Sequence, residues 1–471
     1  MAIGSVYEAY PNGRPSGLPT DIVKQLVDAR ASQVLTPLEN DIQEAKGLKD
    51  VYSGMNSSLT GLYEAAQKVN DFDLFTSKAA SSSNPEAATV SADESAVEGT
   101  YTIEASQLAQ SHTMTLEGSS GLSASDDASL INDSVTLSFE HQGVSLSLTT
   151  DGETTLDDIA QAINETENLG VSASVINTGT ENSADFKLKL KSETTGSGEN
   201  QITSDGTAAG VNIAGGTLFS GGDVQNEAQA GQNALFTIDG VSYERSSNQV
   251  DDAIEGLSFE LLSDTAGPSN IGVSLDTKSI TGQVQAFVKA YNAYAGFLDK
   301  NGSYNPETGQ GGALLGDSIA RSTQNRLRSL ISEPVTGSGE NSFQYLSQVG
   351  IEFEENGSLS LDSDKLHSAL ESDAQGVKDI FAGTGGAGEK METYLRSITN
   401  SFDGVIASKI SSLETRIDSL NDDYDDKQQY LNNYEDRLVE KFSQLEQSVL
   451  KYQGMSDQLS SIIDTWDTGG E

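Results

Sequence analysis

The chain has 471 residues, with 27 Lys and Arg against 71 Asp and Glu, a net charge of −44 and no cysteine. A polyanion of this size is repelled by nucleic acid and by anionic lipid, and without thiols it builds neither disulfides nor thiolate metal sites. Hydrophobic residues amount to 35% and aromatics to 6%, which points to several modest cores with many turns and not one large core.

The N-terminal stretch MAIGSVYEAYPNGRPSG lacks a basic n-region followed by an apolar core, so no cleaved secretory signal is expected. No apolar run reaches the length of about 18 residues that a spanning helix needs, and membrane insertion is not expected. The chain reads as cytoplasmic, or as exported by a route without a cleaved signal.

Ile22, Val23, Leu26 and Val27 suggest a short amphipathic helix. Thr36-Pro37 reads as an N-cap followed by proline at the first helical position. From Leu38 to Val69 apolar residues recur at three- and four-residue steps, predicting a helix over residues 37–70. Residues 77–84, SKAASSSN, read as a linker closed by Pro85.

From 86 to about 276 short alternating runs predominate, among them 99–104, 134–139, 144–149, 186–190, 235–238 and 257–262. Each has one apolar face, as expected for antiparallel sheets. TLDDIAQAIN, 155–164, is a helical interruption with Thr155 as its cap. Helical periodicity resumes at Ser279, with a second helix over 314–331. A hairpin follows at 351–361, where Asn356-Gly357 signals a type I′ turn. Helices over 363–371 and 375–381, a glycine loop at 383–388 and one long helix to the end complete the chain. The fold class is therefore α+β, with a long helical coiled-coil stalk formed by both termini. It encloses an antiparallel β-rich middle, which the resemblance given below divides into two inserted head domains beside a helical leg domain.

The long C-terminal helix carries the clearest pattern. Ile410, Ile417, Tyr424, Leu431, Leu438, Leu445, Tyr452, Leu459 and Trp466 fall at every seventh place. The companion positions begin with Leu413 and Leu420 but include Lys427, Lys441 and Ser448. This is a coiled-coil register spanning roughly 85 Å at 1.5 Å per residue. Pairing with residues 37–70 leaves part of the seam over, so that part is expected to meet other chains. The surrounding carboxylates keep the unassembled helix soluble.

Candidates for chemistry are few. His112, His141 and His367 lie in three separate local contexts, which disfavours a histidine-based triad or metal site. Gly383-Thr-Gly-Gly-Ala-Gly388 matches G-x-G-x-x-G, with Asp403 about twenty residues on, but a helix and not a strand precedes it. It reads as a flexible joint. Asp362 and Asp364 near Glu371 lack the spacing of a calcium loop, and Ser363 or Asp364 is expected to cap a helix instead. No cofactor or metal site is expected, and no enzymatic activity.

Several stretches together resemble the flagellar filament-capping proteins, the flagellar hook-associated protein 2 family. FTIDGVSYERSSNQVDDAIEGLSFELLS, 236–263, is similar to that family's IDG signature and contains Asp239, Gly240, Asn248 and Gly256. VSLDTKSITGQVQAFVKAYNAYAGFL, 273–298, contains Phe287, Tyr291 and Asn292. GALLGDSIARSTQNRLRSLI with LSQVGIEFEENGSLSLDSDKLHSAL, within 312–370, contains Gly316, Asp317 and Gly350. Gly17-Leu18 before Asp21-Ile22-Val23, and GTYTIEASQLAQSHT at 99–113, extend the likeness, although Pro19 interrupts the family's usual opening. The segment from TLDDIAQAIN to DFKLKLKSETTGSGENQI resembles the hook insert of flagellins and caps.

The resemblance implies a domain plan. Residues 1–36 would be a flexible filament-docking segment, and 37–78 with 279–400 a helical leg. Residues 79–117 with 228–278 would form a β-rich head, 118–227 an inserted outer head with the hook-protein-like motif, and 401–471 the coiled-coil helix. It also implies secretion through the flagellar type III channel and a seat at the distal filament tip. There a five-fold homo-oligomeric ring would promote folding and insertion of flagellin. An export chaperone bound at the C-terminal region and the hook–filament junction protein are the other implied partners. A junction protein, a flagellin-like subunit or a surface adhesin are the alternatives, and adhesion is also conceivable as a second role of the β heads.

Overall fold

The structure, a computed structural model, describes residues 20–116, 136–141, 144–149, 154–180, 186–203, 211–214, 227–306, 309–335 and 343–467. It is α+β. The chain divides into two compact units, Asp73–Lys278 and, from both ends of the chain, Met1–Phe72 with Ser279–Glu471.

The continuous unit is built on antiparallel strands. Strands β1 (Lys78–Ser82), β3 (Gly99–Gln107), β12 (Ala234–Ile238), β13 (Val241–Arg245) and β16 (Ser269–Leu275) form a five-stranded sheet in the order β1-β16-β3-β12-β13. A three-stranded sheet runs β14 (Gln249–Ile254), β15 (Leu257–Leu261), β2 (Ala88–Ala92). Their apolar faces share a core containing Ile103, Phe236, Phe259 and Ile271, in which the Phe236 and Phe259 rings meet edge to face at 5.6 Å. The serine- and alanine-rich stretch read as a linker is β1, paired from Lys78↔Leu275 to Ser82↔Ile271. Small side chains hide a strand that is held by ladder bonds to β16, with Ala80 packed against the shared core.

A second core lies within this unit. It is bounded by a sheet of β11 (Glu227–Gln229), β4 (Ser111–Leu116), β8 (Phe186–Thr195) and β7 (Val171–Asn177). Another sheet comprises β6 (Val144–Thr149), β5 (Thr136–His141), β10 (Val211–Ala214) and β9 (Ile202–Thr203). Helix α3 (Leu156–Glu165) contributes Ile159 and Ile163 to the same core beside Phe139, Leu188 and Leu190. Thr155 caps α3 as expected: its hydroxyl accepts from the Asp158 amide, and the Asp158 carboxylate accepts from the Thr155 amide.

The unit made from both chain ends is mainly helical. It contains α1 (Thr20–Val34), α2 (Thr36–Val69), α4 (Thr277–Gly302), α5 (Ser318–Ser332), α6 (Ser363–Phe381), α7 (Ala387–Thr399) and α8 (Val405–Asp467). Small hairpins β17 (Tyr304–Asn305)–β18 (Gln310–Gly311) and β19 (Ile351–Phe353)–β20 (Leu359–Leu361) complete it.

Several local expectations are corrected here. Thr36 does not cap α2: Leu35 is itself in the right-handed helical region, and its amide and carbonyl bond to Ala31 and Glu39. Pro37 breaks only its own ladder bond, so the backbone stays helical from α1 into α2. The turn at Asn356-Gly357 is not type I′, because only Gly357 has positive φ (81°) where both central residues would need it. Helix α6 is capped by Asp362, whose carboxylate accepts from the Asp364 and Lys365 amides, and not by Ser363 or Asp364. The expected single C-terminal helix is two, α7 and α8, separated at 400–404. The glycine loop at 383–388 is a packed turn and no flexible joint. Gly383, Gly386 and Gly388 are buried, and a Cβ at Gly388 would overlap the Phe381 carbonyl and press on Asn70 at the end of α2.

Candidate functional site

Helix α8 runs antiparallel to α2 and then to α1. From its start upward, Lys409 lies over the Tyr52 ring, Lys49 pairs with Glu414 at 3.2 Å, and the Tyr424 hydroxyl donates to Glu39 at 3.0 Å. Further along, Arg30 lies 5.8 Å from the centre of the Tyr430 ring. The seam faces this pair of helices. Leu413, Ile417 and Leu431 are buried, and Ile410, Leu420, Tyr424 and Leu438 are half-buried. Val23 and Val27 of α1 and Ile42 and Ala45 of α2 are buried residues of the facing helices. Each large apolar side chain buried this way contributes about 1.5–3 kcal/mol.

Beyond Phe442 the same register continues without cover among the described residues. Leu445 is 58% exposed, Tyr452 71% and Leu459 63%, and Val449, Met455 and Ile462 are exposed between them. The Trp466 side chain lies outside the described residues. Residues 445–463 form about 28 Å of helix, far more apolar surface in one stripe than isolated surface leucines account for. The expectation that α2 alone would be the intramolecular partner is corrected: α1 extends the cover by several turns and shortens the uncovered part.

The α1–α8 contact also holds a group that no sequence pattern singles out. Glu435 is 6% exposed, and burial, then Asp436 and Asp28, push its carboxyl above the usual range. Asp28 belongs to α1, so two carboxylates meet across the contact.

The residues singled out by family likeness are scattered through both units and act on the backbone. Asp239 (φ 51°) and Gly240 (φ 82°) form the two-residue β12–β13 turn, and positive φ at both positions is the type I′ requirement. The Asp239 carboxylate also accepts the Thr102 amide of β3 at 2.8 Å. Asn248 both accepts from the Ala109 amide and donates to its carbonyl, at 2.7 and 3.0 Å. Asn292 does the same to Leu359, at 2.7 and 2.8 Å, fixing the β19–β20 hairpin to α4. Phe287 and Tyr291 are buried on α4. Gly256, Gly316 and Gly350 lie at tight turns with positive φ. Asp317 caps α5 through the Ala320 amide at 2.9 Å and accepts from the Tyr52 hydroxyl at 2.6 Å. That cap is why α5 begins at Ser318, a turn later than its apolar periodicity suggests.

The three histidines stay apart. The His112 Nδ1 accepts the Ile202 amide at 2.8 Å, His141 packs against Gly170, and His367 lies 3.3 Å from Glu371 one helical turn away. Among the described residues no group of three or more His, Asp or Glu is arranged to hold a metal ion, and no helix is long and apolar enough to cross a membrane.

The model for the N-terminus of flagellar hook-associated protein 2 matches residues 16–112, and that for its C-terminus matches 231–454. The chain belongs to the flagellar hook-associated protein 2 family. Between those matches, residues 136–194 match the flagellin hook IN motif, which covers strands β5 to β8 and α3. The B-type flagellar hook-associated protein 2 of Pseudomonas aeruginosa is 26% identical over 469 residues, 94% of this chain and 96% of that protein. Its counterpart in Escherichia coli K12 is 28% identical over 451 residues, 92% of this chain and 93% of the relative. The crystal structure of the flagellar cap protein FliD D1-D2-D3 domains from Escherichia coli superposes with a TM-score of 0.60 at 28% identity, covering 77% of this chain and 99% of that one. The alternatives of a junction protein, a flagellin-like subunit or an adhesin are not favoured by these hook-associated protein 2 relatives.

Proposed function

We propose that this hook-associated protein 2 is a flagellar filament cap: a non-enzymatic assembly factor at the distal filament tip that promotes folding and insertion of exported flagellin. Family membership supports the role, and the observation that carries the mechanism is the uncovered stripe from Leu445 to Ile462. Apolar side chains repeated on one helical face gain their free energy only against another surface. In this reading the seam, from Ile410 to Leu459, is covered at its lower end by the chain's own helices. Its upper end docks on helices of neighbouring caps or of flagellin. The family-motif residues hold the two units in shape and leave their exposed surfaces to the partners.

The finer parts of the proposal follow the family. The chain leaves the cell by flagellar export, with a cytoplasmic chaperone at its C-terminal region until then. At the tip it forms a five-fold homo-oligomeric ring on flagellin, above the hook–filament junction protein during the first rounds of assembly. The domain plan is a leg from 37–78 and 279–400, a head from 79–117 and 228–278, and an outer head from 118–227.

The test is genetic and biochemical. A strain lacking this chain should shed unassembled flagellin into the medium and regain filaments when the purified protein is supplied. Filaments of normal length and number in that strain would end the proposal. A chain truncated before Leu445 should keep both units folded and lose tip binding. Retained capping by that chain would remove the seam from the mechanism.

A further inference from the structure

Two copies of a chain carrying −44 repel one another at long range. Any self-contact must therefore be apolar or locally reversed in sign. Among the described helices one departs sharply from the acidic average: α5, SIARSTQNRLRSLIS, has three arginines and no acid. Helix α4, beside it, has three lysines and one acid, Asp299.

The arginines are placed asymmetrically on α5. Its inner face is Ala320, Thr323, Leu327, Leu330 and Ile331, all buried. Arg321 and Arg328, seven residues apart, project along one exposed flank with Asn325 between them. Arg326 points to the other side and is already paired with Glu333 at 3.3 Å. Neither flank arginine meets a carboxylate within ion-pair distance among the described residues. Arg328 rests over the Phe353 ring and donates to Tyr291, which fixes its position without neutralising it.

A matching ladder of opposite sign exists on α8. Its inner face is set by Leu413, Ile417 and Tyr424, which leaves Asp418, Asp422 and Asp425 on the outward face, all exposed. None of these aspartates is engaged in an ion pair among the described residues. Asp418 and Asp425 are seven residues apart, as are Arg321 and Arg328. Both intervals are about 10 Å along a helix axis, so two pairs can form at once with the helices side by side.

Resting on the homo-oligomeric reading above, we infer that the arginine flank of α5 in one copy seats against the outward aspartate ladder of α8 in the next. The pairs fix which faces of neighbouring copies meet. Exposed ion pairs contribute little to affinity individually, but complementary fields select approach and register, and like-charge juxtaposition is strongly rejected. A chain so acidic has few other faces on which a copy can land without repulsion.

The experiment uses the full-length chain in sedimentation velocity at low and high salt, with circular dichroism to verify folding. Two single-surface variants are compared: Arg321→Glu with Arg328→Glu, and Asp418→Lys with Asp425→Lys. The Arg321→Glu single variant, at an exposed side chain with no hydrogen bond or ion pair among the described residues, guards against misfolding at Arg328. Each variant should weaken self-association by about tenfold or more at low salt, its difference from wild type should shrink as salt is raised, and a chain carrying both swaps should recover. Self-association of the wild type with no change in either variant overturns the inference and leaves the capping role intact, as does weakening that the combined chain fails to restore. A wild-type chain that is monomeric at every concentration would instead remove the homo-oligomeric reading, and this inference with it.

Discussion

Leu431 and Leu445 hold the same heptad position two repeats apart on α8, yet Leu431 is 3% exposed and Leu445 58%. The difference is the helix opposite. At Leu431, α1 closes over the seam, and at Leu445 nothing among the described residues does. Leu431→Ala should therefore cost about 2–5 kcal/mol of stability in chemical denaturation. Leu445→Ala should stay within about 0.5 kcal/mol of wild type while lowering binding to filament ends. Equal stability losses in the two variants would mean that the upper seam is sheltered inside the monomer.

Two buried tyrosines make an internal control for the helical unit. The Tyr52 hydroxyl donates to Asp317 at 2.6 Å, whereas the Tyr294 hydroxyl is buried with no hydrogen-bond partner among the described residues. Burial pushes the phenol of each well above its ordinary range. Tyr52→Phe removes a made bond from the carboxylate that caps α5 and should cost about 1–3 kcal/mol. Tyr294→Phe removes only an unsatisfied group and should be neutral or stabilising in the same thermal melts. A large loss in Tyr294→Phe would reveal a partner for that hydroxyl.

What could be read from the sequence depended on whether one residue's own chemistry fixed the outcome. The α3 cap was legible in Thr155, because a hydroxyl just ahead of an apolar-periodic run accepts the free amides of a helix's first turn. The seam was legible because a seven-residue repeat survives any choice of partner. Strand β1 was not, since Lys78–Ser82 carries no apolar alternation and is a strand only because β16 lies beside it. The role of α1 as cover for Leu431, and the burial of Glu435, depend on an antiparallel register between residues about 400 apart in sequence, which no local pattern encodes. Asn356-Gly357 misled for a related reason: the Asn292 amide holds Leu359 and so sets the hairpin's path from outside.

Asp239 combines backbone strain with a tertiary bond, and the two can be separated. At φ 51° it sits where β-branched residues are rarely found, and its carboxylate holds the Thr102 amide at 2.8 Å. Asp239→Asn keeps both the turn preference and an acceptor and should cost less than about 0.5 kcal/mol. Asp239→Val loses both and should cost about 1–3 kcal/mol. The loss should be seen as reduced hydrogen-exchange protection in β3 and β12, with the helical unit unchanged. Equal protection in the two variants would assign the motif to something other than this turn.

Glu435 gives the α1–α8 contact a pH dependence whose sign can be worked out. Its carboxyl is raised above the ordinary 4.5 by burial, then by Asp436 and Asp28. Between 4.5 and the raised value the packed form therefore holds more protons than the separated form, and the contact loses stability as pH rises through that window. It is tightest below the window and weakest above it, where the buried Glu435 carboxylate is charged beside Asp436 and Asp28. Hydrogen exchange of α1 amides should accordingly show less protection at neutral than at mildly acidic pH, after correction for intrinsic rates. Glu435→Gln should flatten that slope and raise protection at neutral pH, and Asp28→Asn should do so in part. The informative quantity is the difference in slope between wild type and variant. Identical pH profiles for wild type and Glu435→Gln would show that the Glu435 charge is already compensated in the packed form.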